Sequence, residues 1–305
     1  MAINFKDKSY LGMSEFIDGL IRKMSEPMDV PEYAAGNEKA GILELEKEIR
    51  ANPGKIRRDR SIIMQKIINE FGEVSYALYS KWPELYSSAY TATNQLKMPS
   101  PVLFVYNQKN EKDFNVAAYG VLDKLWIFFS IDLIESRVLT TNEYKFIIGH
   151  ELGHVKFSHS MIGGTLKDKR LHEYTSDRVG IIASDDLKAG MSSLAKVHNN
   201  SYEQYLGRGK DELIRSLLVS DKNIEELLQC KIEDVPAVSQ RMLDQLPAQF
   251  ASQEKEDGHP NVYRRFAAMR LFYESEWYYR ASGKEIDHKL LDAATISSYM
   301  EKIVI

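Results

Sequence analysis

The sequence contains almost no cysteine, has no long apolar run, and carries nearly balanced charges. Cys230 is the only cysteine among 305 residues, so no internal disulfide can form and stability must come from packing. The longest apolar stretch, Leu125 to Ile134, is interrupted by Asp132 and is far shorter than the roughly 20 residues that a membrane helix needs. The formal net charge of -4 gives no strong attraction to nucleic acid or to anionic membranes.

The first residues also lack the pattern of a secretory signal, in which a basic segment is followed by an apolar one. With the single cysteine, this leads us to expect a soluble, cytoplasmic protein without a membrane span and without a nucleic-acid partner. The 44% content of hydrophobic residues is too high for a disordered chain. The sequence therefore predicts a folded protein with a sizeable core.

The chain divides into a helical N-terminal extension, a main domain and a helical tail. Asn52-Pro53-Gly54 is a strong break, so we expect the extension at 1–54, the main domain at 55–285 and the tail at 286–305. Three β-branched and aromatic runs, Val102–Tyr106, Asn115–Tyr119 and Leu125–Phe129, predict short strands in a small, largely antiparallel sheet. The rest indicates helices, which makes the expected fold class α+β and mainly helical. Helices are predicted at about 9–24, 38–50, 55–79, from 142, and at 167–183, 187–198, 210–219, 237–250 and 260–280.

The segment from His150 to His154 reads His-Glu-Leu-Gly-His and is the central chemical signal. Two histidines four residues apart lie on one face of a helix, and their imidazoles can bind one zinc at about 2.0–2.1 Å. Glu151 then flanks the metal where a base for activated water belongs. The alternative is a solvated helix with two surface histidines. The neighbouring residues favour a buried helix, in which polar groups need partners: Phe146, Ile147, Ile148, Leu152 and Val155.

A catalytic zinc needs a third protein ligand and an open fourth position. A metzincin would have Gly at 157 and His at 160, where this chain has Phe157 and Ser160, and Cys230 has no motif that fits a deformylase. A carboxylate on a second helix remains, and Glu173 fits. Asp177 follows one turn later on the same face, where it can accept the free ring N–H of a ligand histidine. Without the upstream motif, this pair would more often be a solvated acidic face.

These segments resemble the soluble catalytic domain of the CAAX prenyl protease and HtpX family of gluzincin zinc endopeptidases. The resemblance runs from about Pro101 to Leu271. Four segments carry it in order: Asn115–Gly120 as the edge-strand signature, Gly149–His154 as the metal helix, Glu173–Gly180 as the third-ligand segment, and His259–Arg265 as the late His-Pro…Arg segment. The ligand segment has Thr175-Ser176 where the family often has Glu-Ala. The integral members carry transmembrane helices and this chain has none, so we do not expect a prenylated membrane substrate.

The resemblance implies a gluzincin domain with one Zn2+ per chain and a peptide or protein substrate. It implies that Glu151 is the base and proton shuttle and that His259 approaches the oxyanion. The implied zinc ligands are His150, His154 and Glu173, and the implied substrate-binding edge strand is Asn115, Val116, Ala117, Ala118 and Tyr119.

Three alternatives stay open from sequence. The chain could be a catalytically silent zinc-binding interaction module, or a latent peptidase whose cleft is covered by the N-terminal region or by residues 199–258. An accidental motif in a helical adaptor is a third, which metal content would exclude. We further expect His172 to face solvent, Arg265 to anchor its helix by an ion pair, and Cys230 to be inert. The sequence does not name the substrate or the oligomeric state.

Overall fold

The computed structural model describes residues 69, 72–107, 115–121, 124–157, 166–206, 221–245, 259–286 and 290–303. The strands are β1 (Glu73–Tyr76), β2 (Val102–Asn107), β3 (Val116–Val121) and β4 (Lys124–Ser130). The helices are α1 (Pro83–Gln95), α2 (Ile131–Ser136), α3 (Thr141–Lys156), α4 (Leu166–Ser184), α5 (Leu187–Leu206), α6 (221–229), α7 (Val235–Asp244), α8 (Val262–Tyr273), α9 (Glu276–Ser282) and α10 (Ala293–Ile303), with a 3-10 turn at Ile232–Asp234 before α7. The prediction of a mainly helical α+β fold is confirmed. Within this part of the chain, none of the helices is both long enough and apolar enough to cross a membrane.

The sheet is mixed, and its strand order is β1-β2-β4-β3. The outer pairs β1–β2 and β3–β4 are antiparallel, whereas the central pair β2–β4 is parallel. The largely antiparallel sheet expected from sequence is therefore wrong for the central pair. The physical reason lies in β4, which is buried from Leu125 through Ser130. A strand that is apolar on both faces is typical of a parallel pair inside a sheet, so the β3–β4 hairpin docks on β2 through β4, and β3 becomes the edge.

Strand β1 corrects the predicted helix at 55–79, since residues 73–76 are extended. Gly72 has a φ of 73°, a left-handed conformation that glycine adopts at little cost, and it lies just before the strand. Tyr76 then stacks on Phe104 of β2 with ring centroids 4.9 Å apart. Helix α1 was not predicted, although Pro83 at its first position is a common helix start.

Helix α3 lies at the centre of the helical layer and begins with a capping box, which the spacing of Thr140 and Glu143 in the sequence indicates. The Thr140 hydroxyl accepts a hydrogen bond from the Glu143 N–H at 3.4 Å, and the Glu143 carboxylate accepts one from the Thr140 N–H at 2.6 Å. Glu143 is buried, and its charge is paired with Lys196 of α5 at 2.6 Å. This pair fixes the first turn of α3, so the register of the residues that follow is fixed too.

Glycines let α3 and α4 approach closely, and this is the most extensive contact between two elements among those described. A Cβ added at Gly149 of α3 would lie 2.4 Å from the Cβ of Ala183, and one at Gly153 would lie 3.0 Å from the Cα of Ser176. On α4, a Cβ at Gly180 would lie 2.8 Å from Phe146. The two helices therefore pack almost backbone to backbone.

Several predicted helix boundaries are also corrected. The single helix expected at 260–280 is two helices, α8 and α9, because Ser275 starts a new helix by accepting a hydrogen bond from the Tyr278 N–H. Helix α5 runs beyond 198 to Leu206, and α7 ends at Asp244. In the predicted tail, α10 packs on α7 and α8. The helices expected at 9–24, 38–50 and 210–219, and the whole 1–54 extension, lie outside the described residues, so the domain boundaries stay predictions.

We predict that Gly149→Ala lowers the free energy of unfolding by about 1–3 kcal/mol, because overpacking costs more than the helix propensity that alanine gains. The measurement is chemical denaturation. Ala183→Gly in the same chain removes the atom at 2.4 Å and should restore part of the loss, although the Gly180 Cα at 3.0 Å remains. A Gly149→Ala protein as stable as wild type would show that the helices can separate without cost.

Candidate metal centre

Three potential metal ligands converge between α3 and α4. The Nε2 atoms of His150 and His154 are 3.0 Å apart. The two oxygens of Glu173 lie 3.5 Å from the His150 Nε2 and 3.3 Å from the His154 Nε2. Bonds of about 2.0–2.1 Å in a tetrahedral zinc site place neighbouring ligand atoms about 3.3 Å apart. The observed separations are close to this value, so the residues fit a single metal ion.

Asp177 orients the His150 ring. Its Oδ1 lies 3.0 Å from the His150 Nδ1, and an ionised carboxylate only accepts hydrogen bonds. The Nδ1 therefore carries the proton, and the lone pair of Nε2 points toward His154 and Glu173. This is the tautomer that a metal ligand needs. Whether Asp177 affects metal binding stays a prediction.

Arg265 of α8 enters the site from the C-terminal part of the chain. Its Nε and Nη2 donate to the two oxygens of Asp177 at 2.8 and 2.6 Å, and its Nη1 lies 3.4 Å from the Glu173 Oε2. The side chain is buried, with 2% of the residue exposed. An ion pair was expected for Arg265, but its partners, one of them 88 residues away, could not be read from sequence.

The surroundings of Glu173 and Asp177 keep both carboxylates ionised. Burial alone would raise the pKa of Glu173, but His154, Arg265 and His150 hold this pKa well below its usual range. Burial would likewise raise the pKa of Asp177, and Arg265 and His150 lower it. Carboxylates with depressed pKa values remain available to a cation at neutral pH.

Glu151 follows the first histidine of the cluster. Burial raises its pKa and the charge of Glu173 adds to this, whereas His150, His154 and a hydrogen bond from the backbone N–H of Ala118 oppose it. A raised pKa suits a group that takes up and releases a proton near neutral pH. The hydrogen bond from Ala118 was not predicted, since it links α3 to the edge strand.

Strand β3 is a sheet edge, because within the described residues it pairs with β4 alone. The Asn115 carbonyl accepts from the Ser130 N–H at 3.0 Å, so the backbone groups of Val116 and Ala118 point away from β4. Two of these groups have internal acceptors, since the Val116 N–H donates to the Asn115 Oδ1 at 2.9 Å and the Ala118 N–H donates to Glu151. The side chains of Ala117 and Tyr119 are half-buried on the sheet face opposite to that of Val116 and Ala118. They lie beside Phe104, Tyr106, Trp126 and Phe128.

His259 lies beside Glu173, with its Nε2 3.6 Å from the Glu173 Oε1 and 52% of its side chain exposed. It precedes α8, whose first turn is capped by Asn261 through a hydrogen bond from the Tyr263 N–H. His172, expected in solvent, is instead 7% exposed, because α4 is buried on all of its faces from 172 to 180. The Cys230 thiol donates to the Leu227 carbonyl, and burial raises the pKa of this thiol.

Residues 81–168 match the family model of peptidase family M48. This match supports a relationship to the M48 metallopeptidases, which are zinc enzymes. No curated protein and no solved structure matches the chain. The matched segment contains His150, Glu151, His154 and strand β3, and it ends before Glu173. The case for Glu173 and for the residues of α8 therefore depends on geometry.

We predict about one zinc per purified chain, and most of it should be lost in Glu173→Ala because a direct ligand is removed. Metal analysis after dialysis against a metal buffer measures this. Glu233→Ala, at an exposed position before α7, is the control and should keep its zinc. Full retention in Glu173→Ala would remove this residue from the ligand set.

Proposed function

We propose that this protein is a zinc-dependent endopeptidase of the CAAX prenyl protease and HtpX-like type, which hydrolyses peptide bonds by metal-activated water. The observation that carries the proposal is the His150–His154–Glu173 cluster, with Glu151 beside it, in a chain that matches a peptidase family. A zinc ion bound by these three residues would polarise the scissile carbonyl and acidify a coordinated water.

Glu151 is the general base in this proposal. Its carboxylate takes a proton from the attacking water and then delivers it to the leaving amine. The hydrogen bond from the Ala118 N–H restrains the carboxylate on the side of the edge strand. A purely structural metal site has no need of a base at this position, which favours an enzyme over an interaction module.

His259 stabilises the oxyanion that forms when water attacks the carbonyl. Its half-exposed ring beside Glu173 can reach a substrate bound at the metal, and its N–H can donate a hydrogen bond there. Such a donor accelerates the reaction because its interaction strengthens as charge develops.

An extended substrate pairs with the outer edge of β3, over Asn115, Val116, Ala117, Ala118 and Tyr119. The carbonyls of Val116 and Ala118 face this edge and can accept hydrogen bonds from substrate amides. The outward N–H groups of both residues already have internal acceptors. Substrate amides therefore engage these two carbonyls first. The cytoplasmic location expected from sequence stays a prediction.

We predict that Glu151→Gln retains zinc but loses at least about 10²–10⁴-fold in turnover, because the amide cannot accept the proton. The measurement is cleavage of denatured casein alongside metal analysis, with the exposed Glu135→Gln as a control that should remain active. If zinc-loaded wild type were as inactive toward casein as Glu151→Gln, the result would favour the interaction module or a latent peptidase.

We predict that His259→Ala lowers kcat by about 10²–10³-fold with little change in KM, because the oxyanion interaction exists mainly in the transition state. Zinc content should equal that of wild type. Steady-state kinetics on a fluorogenic peptide measures both constants, and His259→Gln, which keeps an N–H donor, should recover part of kcat. Loss of zinc as the main defect would contradict the oxyanion role.

A further inference from the structure

The N-terminal part of α8 and the residues just before it reach Glu173 from two sides. His259 lies 3.6 Å from one carboxylate oxygen, and Arg265 lies 3.4 Å from the other. The orientation of this carboxylate therefore depends on how α8 is seated against α4.

Arg265 also reaches His150 through Asp177. Two of its nitrogens donate to the two Asp177 oxygens at 2.8 and 2.6 Å, and the Oδ1 that accepts the shorter bond is the oxygen 3.0 Å from the His150 Nδ1. A planar guanidinium bound at both oxygens fixes the plane of a carboxylate, which a single donor does not do. One side chain thus restrains Glu173 directly and His150 mainly through Asp177, and its Nη2 also lies 3.4 Å from the His150 Nδ1.

We propose that Arg265 is a positioning residue of the metal centre, which holds Glu173 and the Asp177–His150 pair so that their ligand atoms converge with that of His154. This assignment depends on the proposed metal site and not on peptide hydrolysis. If Arg265 has this role, metal affinity depends on how α8 packs against α4, although α8 contributes none of the three proposed ligands.

Charge and geometry act in opposite directions here, and this makes the proposal testable. A guanidinium close to the ligands repels a divalent cation, so its charge by itself would weaken metal binding. Ordering of the ligands strengthens metal binding, because less freedom is lost when the ion is bound. Arg265→Lys keeps the charge and loses the bidentate geometry, and Arg265→Met removes both.

Arg264 offers a matched control at the adjacent position of the same helix. Its guanidinium donates to the Ile303 carbonyl of α10 at 2.7 Å and so joins α8 to α10. Arg264→Met removes the same kind of group from the same helix without removing a contact to Glu173 or Asp177. A general loosening of α8 would appear in both variants.

The experiment is a competition titration of zinc into metal-free wild type, Arg265→Lys, Arg265→Met and Arg264→Met. We expect dissociation constants about 10–100-fold higher for both Arg265 variants, the range for residues that orient metal ligands, and no change for Arg264→Met. The visible spectrum of bound Co2+ should change in the Arg265 variants alone. If a variant is unfolded without metal, the zinc concentration that folds it gives the same comparison.

Zinc binding by Arg265→Lys as tight as in wild type would overturn the proposal, as would tighter binding by Arg265→Met, which would leave Arg265 only a charge-balancing role. Asp177→Asn in wild type and in Arg265→Lys completes the test. Since Arg265 acts partly through Asp177, the two losses should combine to less than their product. Failure of hydrolysis would leave these binding results unaffected.

Discussion

The close contact between α3 and α4 is the constraint on which the rest of the site depends. Each of the two helices carries part of the donor set, and neither alone can surround an ion. Gly149, Gly153 and Gly180 bring the backbones so near that Glu173 and Asp177 reach the histidines with short side chains. Ligands on two packed helices are held more rigidly than ligands on loops.

Electrostatics adds a second constraint, because the site concentrates negative charge in a buried place. Glu173 and Asp177 interact directly with the Arg265 guanidinium, and Glu151 lies beside them in the same buried cluster. Buried charges are tolerated when they are paired and hydrogen-bonded. A divalent ion together with the guanidinium would balance the three carboxylates. Metal binding and the stability of this part of the fold should therefore be linked.

Local features of the site could be predicted from sequence, because a helix fixes which side chains share a face. The spacing of His150, Glu151 and His154 and the capping box at Thr140 are of this kind. The strand order, the position of β1 and the partners of Arg265 could not be predicted, since they depend on which distant segments meet. The glycines of α3 were visible four residues apart, but that spacing alone does not say which helix packs there.

The internal hydrogen bonds of β3 have a consequence for association between molecules. An exposed strand edge with unsatisfied amides is a template onto which another copy of the sheet can add, and this is a common route to aggregation. Here the Asn115 side chain and Glu151 accept two of the outward N–H groups, so the edge offers an incoming strand fewer donors. The contact that restrains a proposed catalytic carboxylate thus also reduces the tendency of this edge to pair with a second copy of the protein at high concentration.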